Sequence, residues 1–309
     1  MRRHQREPDG LSGDGVIPTL AELVALRAIA IAPGRARRVR ASTAGFAPSA
    51  LRGRGMEYAE SREYTRGDDA RHMDWRLTAR TGRPHTKVFQ AERERMTLIV
   101  ADTAPSMYFG SRVRFKSVQA ARAGALVAWS GAAEGDRIAA LRGSAREAPV
   151  PPGAGTRGAL HAIEALSRWY ATRPAEDLGL AHALERAQRL LRPGARLVVL
   201  ADASSLPGIP PHRWTALARH HDVVVVIVFD PFETDPPRLA LPVSVDGRPV
   251  AFPLEVDAVR RRWLAAFAQP LHEALAELPG RGVRAMALST ADPSEACLAL
   301  LAGAVARVA

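Results

Sequence analysis

Residues 98–101, Leu-Ile-Val-Ala, and residues 197–201, Leu-Val-Val-Leu-Ala, are short apolar runs that each end in an aspartate, Asp102 and Asp202. A strand that is apolar without alternation is buried on both faces, and such strands belong to parallel sheets covered by helices. The aspartate then marks the carboxyl end of its strand, the edge at which open α/β sheets bind their ligands. Run and acid together set the sheet type and name the edge that carries polar groups.

The flanking text alternates as βα units do. After Asp102 a helix is predicted over residues 115–133, with Val118, Ala121, Ala125, Leu126 and Trp129 at helical spacing. A short strand follows over 138–141, and Gly143-Ser144 suggests a hairpin into 147–150. A helix over 158–170 and another capped by Asp177 and running to 191 lead to the second apolar run. A helix near 214–220, a strand at 223–229, a helix at 256–278, a strand at 283–288 and a helix at 293–304 complete a mostly parallel sheet with helices on both faces. Upstream, Thr19 caps a helix predicted through residue 31 and stopped by Pro33-Gly34. Residues 53–94 are dense in charge and turn signals and poor in periodicity; Arg66-Gly67-Asp68-Asp69 reads as a turn and Asp69 as the cap of 70–75. Three regions result: a disordered tail over 1–18, an N-terminal helix and irregular segment packed on the sheet domain over 19–95, and the α/β domain over 96–309.

With 47% apolar residues, 309 residues can bury such a core. The single cysteine, Cys297, excludes an intramolecular disulfide and a cysteine-based zinc cluster and fits a reducing compartment. The most apolar early stretch, residues 21–32, contains Glu22 and Arg27 and is shorter than the ~20 residues that span a bilayer. With no signal peptide or membrane segment read, a cytoplasmic protein is expected. The net charge of +11 raises nucleic acid as a partner. Against that, 41 of the 43 basic residues are arginine, a bias of background composition, and most alternate with acids, as in Arg93-Glu94-Arg95. The exception, Arg35-Ala36-Arg37-Arg38-Val39-Arg40, sustains an alternative reading as a basic nucleic-acid-associated protein.

Several catalytic patterns fail on inspection. Gly153-Ala154-Gly155-Thr156-Arg157-Gly158 spells a dinucleotide fingerprint, yet Val150-Pro151-Pro152 is a poor strand to precede it. The stretch from Gly110 to Lys116-Ser117 mimics a phosphate loop but puts Phe115 where glycine is needed. His272-Glu273 lacks the second histidine of a zinc protease, and no nucleophile elbow occurs. Asp68, Asp69, His72 and Asp74 read as a turn, a cap and arginine-paired carboxylates more readily than as metal ligands. What remains is a set of oxygen groups on loops, Asp102, Ser106, Thr156 and Asp202, of the kind a hard cation such as Mg²⁺ takes.

Residues 53–58, Arg62-Glu63-Tyr64, Gly67-Asp68-Asp69, Arg71, Asp74-Trp75, Ala79-Arg80, Lys87, Glu92 and the loop 102–107, with the later Gly135-Asp136-Arg137 and Asp230-Pro231, resemble the signature of the "domain of unknown function 58" family. The resemblance runs from about residue 20 to about residue 300 and is specific as a combination. It implies a von Willebrand factor A-like α/β domain behind a signature segment, in proteins encoded beside a MoxR-type AAA+ ATPase and working with it. It also implies a metal-ion-dependent adhesion-type site, Asp-x-Ser-x-Ser with a later Thr and Asp. Asp102, Ser106, Thr156 and Asp202 fall on those positions, and Ala104 replaces the first serine, so the expected Mg²⁺ or Mn²⁺ site is degenerate and weak. Many relatives carry membrane helices ahead of the signature; none is read here. The expected function is a non-enzymatic protein-binding adaptor with no nucleotide cofactor. Tyr64, Arg71, Asp74 and Trp75 are expected to be structural, with Trp75 buried.

Overall fold

The computed structural model describes residues 14–32, 56–65, 68–91, 95–245 and 248–302. The Arg35–Arg40 cluster, Arg66-Gly67 and Glu92 lie outside the described residues. Residues 56–65 and 68–91 belong to one compact unit and the remainder to another.

In the smaller unit, β1 (Met56–Glu63) and β2 (His85–Ala91) pair antiparallel, from Met56 opposite Ala91 to Glu63 opposite His85. Between them, Asp69 caps a 3-10 turn at Ala70–His72 by accepting from Arg71 N at 3.0 Å. Asp74 caps the helix Trp75–Thr81, accepting from Leu77 N at 3.0 Å and from Ser61 Oγ at 2.7 Å. Asp68 pairs with Arg62 at 2.6 Å. These acids therefore serve as turn, cap and ion pair, as read from the sequence. The segment itself is more regular than its periodicity suggested, because a ladder written with Glu57, Glu60, Arg62 and Glu63 lacks the apolar alternation that marks a strand. The expected burial of Trp75 is not met: it opens its helix and is 69% exposed.

In the larger unit, β3 (Met96–Ala101), β4 (Arg137–Arg142), β5 (Val150–Ala154), β6 (Arg196–Asp202), β7 (Asp222–Phe229) and, after a separate antiparallel ladder of β8 (Ala240–Val245) and β9 (Arg248–Pro253), β10 (Arg284–Ser289) supply the sheet strands. Their order is β10-β7-β6-β3-β4-β5, parallel throughout except for β5 against β4. The unbroken apolar runs are explained by burial on both faces. Ile99, Ile138, Val198, Leu200, Val224 and Val226 pack toward one helical layer, and Leu98, Val100, Leu141, Leu197, Val199 and Val225 toward the other.

The first layer contains the helices Lys116–Ala133 and Gly155–Ala171 and the N-terminal pair Leu20–Ala25 and Arg27–Ala30, capped by Thr19 as predicted. This N-terminal pair belongs to the sheet unit rather than to the signature segment. Leu23 is fully buried, Trp129 Nε1 donates to Leu23 O at 3.2 Å, and Arg122 pairs with Glu22. Asp14 to Pro18, expected to be disordered, is also engaged: Phe115 N donates to Gly15 O at 2.7 Å. The second layer contains the helices Gly179–Leu190, Pro211–His220 and Asp257–Glu277. The β8–β9 ladder escaped the sequence reading because Pro242, Pro249 and Pro253 argue against a strand, and a two-stranded ladder, all edge, tolerates them. Among the described residues, no helix is long and apolar enough to cross a membrane.

Candidate functional site

Asp102 and Asp202 end neighbouring parallel strands, and the register brings their backbones together. Asp102 N donates to Leu200 O at 2.9 Å, and Asp202 N donates to Asp102 Oδ2 at 3.0 Å. Asp102 Oδ1 accepts from Ala104 N at 3.0 Å, so each oxygen of this 1%-exposed carboxyl faces a backbone amide. Burial pushes its pKa up to about 6, against the opposing pull of the Ser205 hydroxyl and the two amides. Ser106 approaches the pair, its Oγ 3.4 Å from Ser204 Oγ, and Ser204 donates to Asp202 Oδ1 from N at 2.7 Å and from Oγ at 2.5 Å. Three of the four residues expected to meet are thus brought together.

Thr156 is not. Strand β5 runs antiparallel to β4 with Ala154 opposite Arg137, and Arg137 in turn lies opposite Met96. The helix that contains Thr156 therefore starts at the amino edge of the sheet, the length of β3, roughly 20 Å, from Asp102. The glycines of that turn serve packing: a Cβ on Gly158 would fall 1.9 Å from Gly153 O, and Gly155 has φ +58°. This accounts for the false dinucleotide pattern. The helix returns to the carboxyl edge at its far end, where Tyr108 OH donates to Trp169 O at 2.7 Å. There Tyr170 is fully buried with no hydrogen-bond partner for its hydroxyl, and burial, reinforced by the charge of Asp102, holds that phenol well above its ordinary range.

The sequence reading missed a cation. Lys116, the first residue of its helix and 0% exposed, pairs through Nζ with both Asp202 Oδ2 and Glu233 Oε1. The second oxygen of Glu233 accepts from Asp230 N at 2.9 Å in a capping box that opens the helix Pro231–Thr234. Burial opposes the charge on Lys116, but Asp202 and Glu233 outweigh it and hold the ammonium above the ordinary lysine range; burial in turn raises Glu233, with Lys116 pulling the other way. One signal could have found this residue: in a chain with 41 arginines, Lys116 is one of two lysines.

The donors do not fit a divalent cation as they stand. Both oxygens of Asp202 are engaged by Ser204 and Lys116, those of Asp102 by amides, Ala104 brings no oxygen, and Thr156 is at the other edge. A divalent ion of the Mg²⁺ kind needs about six oxygens, several of them from protein or retained water. Among the described residues, no group of three His, Cys, Asp or Glu side chains is arranged to hold a metal.

A family model described as "Protein of unknown function DUF58" matches residues 60–273 of the chain. The chain belongs to that family. The match begins inside β1 and extends into the helix Asp257–Glu277, so it takes in both units and the carboxyl edge. Uncharacterised proteins of Mycobacterium bovis and of two strains of Mycobacterium tuberculosis are 32% identical over 203 residues, which cover 63% of this chain and 62% of each relative. The chain thus matches a little under two thirds of the length of these relatives.

Proposed function

We propose that this DUF58 protein is a non-enzymatic adaptor that binds a MoxR-type AAA+ ATPase through the carboxyl edge of its sheet. The observation that carries the reading is that the edge acids are engaged in holding the structure. Asp102 faces two amides, Asp202 faces Ser204 and Lys116, and Asp230 accepts from Ser111 N at 2.9 Å and Thr290 Oγ1 at 2.6 Å. Catalysis by acid and base needs a group poised to move a proton at the reacting atom. A preorganised edge of this kind suits recognition instead.

Apolar surface lies beside it. Phe109 and Val113, on the loop after Asp102, are 37% and 52% exposed, and the Gly15 contact brings Val16 and Ile17, each 43% exposed, against the same loop. Exposed apolar groups that gather at one place mark interaction surfaces.

Affinity capture of the co-expressed protein and a MoxR-type ATPase from the same genome, with and without ATP, tests the reading. Association that weakens on Val113→Asp is the expected result. No association in either nucleotide state sinks it, and tight binding to DNA with a steep salt dependence would favour the nucleic-acid alternative.

A further inference from the structure

We infer that the ammonium of Lys116 is the resident cation of the carboxyl edge, taking the place of the divalent ion expected there, so that the edge is held together without metal. The inference concerns the site's own ion and is independent of which partner docks beside it.

Three observations converge on it. First, Lys116 is placed against ordinary electrostatics. It opens the helix Lys116–Ala133, at the positive end of the helix dipole, where a cation is disfavoured, and it is fully buried, which lysine almost never is unless paired. Its partners must therefore hold it there. Second, the ammonium bridges two carboxylates, as a metal ion would. Nζ joins Asp202, at the end of β6, to Glu233, just beyond the end of β7, and both come from far along the chain. The remaining oxygens of these two carboxylates accept from Ser204 and from Asp230 N, so the ammonium completes their bonding.

Third, the residue type is selective. The chain uses arginine for 41 of its 43 cations. Arginine also bridges two acids at the amino edge, where Arg196 meets Glu134 and Asp222, but it keeps 3% exposure; lysine stands at the described basic position that is 0% exposed. A compact ammonium on a flexible stem fits a fully closed gap between two carboxylates, whereas the larger planar guanidinium spreads its donors over a wider fork.

The test uses the full chain and Mn²⁺ as probe, read by electron paramagnetic resonance of free Mn²⁺ and by thermal melting against chelator. Wild type is expected to bind no Mn²⁺ up to about 5 mM and to melt at the same temperature with metal or chelator. Lys116→Met removes the ammonium while keeping an apolar stem; it is expected to bind Mn²⁺ at least about tenfold more tightly than wild type and to melt higher with Mn²⁺ than with chelator. Lys116→Met/Glu233→Gln conserves net charge and guards against misfolding of the single variant. It is expected to bind Mn²⁺ through Asp202, with binding lost on adding Asp202→Asn. Mn²⁺ binding by wild type that disappears in Asp102→Asn would overturn the inference. So would folded Lys116 variants that take up no metal.

Discussion

The two edges of the sheet handle charge in opposite ways. At the amino edge, arginines and acids alternate in an open chain. Arg95 pairs with Asp136 at 3.0 Å and Glu134 at 2.6 Å, Arg196 with Glu134 at 3.2 Å and Asp222 at 3.0 Å, and Arg284 with Asp222 at 2.5 Å. Glu134 and Asp222 each have two cations to lean on, so the loss of one leaves another. At the carboxyl edge, Asp102, Asp202, Asp230 and Glu233 are satisfied by amides, hydroxyls and the single ammonium of Lys116. Buried hydroxyls of Thr103, Ser117 and Tyr170 are left without partners in the same region. Redundancy makes the amino edge a clamp. The Asp202–Glu233 pair, with one cation among the described residues and no spare, is the poised one.

The largest expected effect follows from that lack of a spare. Lys116→Met in chelator leaves two buried carboxylates with no counter-charge, and removing one partner of a buried pair costs about 3–5 kcal/mol. Urea denaturation at neutral pH measures it. A cost below about 1 kcal/mol would mean that the ammonium is not what satisfies Asp202 and Glu233.

Asp102 comes next. Its carboxyl sits at about 6 in the folded chain against an ordinary 3.8, so between those values the folded state binds more protons than the unfolded one. Stability from this group is therefore intact below about pH 4 and is lost as pH rises through 6, by about 3 kcal/mol in all. Other carboxylates work the other way: Asp230 and Glu147 are held below their ordinary range and lose stability as pH falls. The difference between wild type and Asp102→Asn isolates the term. The gap in unfolding free energy should move in favour of the variant from pH 4.5 to pH 7.5; a constant gap would show that the carboxyl stays ionised throughout.

Arg196→Met probes the redundant edge. Arg196 is 3% exposed, yet Glu134 keeps Arg95 and Asp222 keeps Arg284, so about 1–2 kcal/mol is expected, less than for Lys116→Met. Reversal of that order in the same denaturation series breaks the comparison between the edges.

What the sequence disclosed follows the same division. Strands β3, β6 and β7 were legible because burial on both faces leaves continuous apolar runs, and the meeting of Asp102 with Asp202 follows from acids placed at the ends of such runs. Thr156 was misplaced although the hairpin after Gly143 was read: a reversed strand returns the chain to the amino edge, and spacing along a motif does not register direction. Lys116 stayed hidden because its partners lie 86 and 117 residues away, and nothing local marks a lysine at a helix start as buried. Trp75 misled for the converse reason, since an aromatic in a dense signature invites burial while the Asp74 cap places it on an exposed helix start.

The smallest expected effect is the most discriminating. Ala104 stands where the adhesion-type motif has its first serine, half-buried, with its amide already bonded to Asp102. If the edge were a metal site short of one ligand, Ala104→Ser would complete it, and millimolar Mg²⁺ would then raise stability by about 1–2 kcal/mol, as binding at about 5–30 times Kd does. If Lys116 is the cation, the new hydroxyl meets no ion. Asp202 remains bound to the ammonium, and a hydrated Mg²⁺, reluctant to shed water, has no pair of free carboxylates to enter. The expected result is a stability change within about 0.5 kcal/mol and identical melting curves in Mg²⁺ and chelator. Combining Ala104→Ser with Lys116→Met should then produce a larger Mg²⁺ response than Lys116→Met alone, because only with the ammonium gone can the serine contribute a ligand. A Mg²⁺ response from Ala104→Ser by itself would return the edge to the metal reading and make Lys116 a neighbour of the site rather than its occupant.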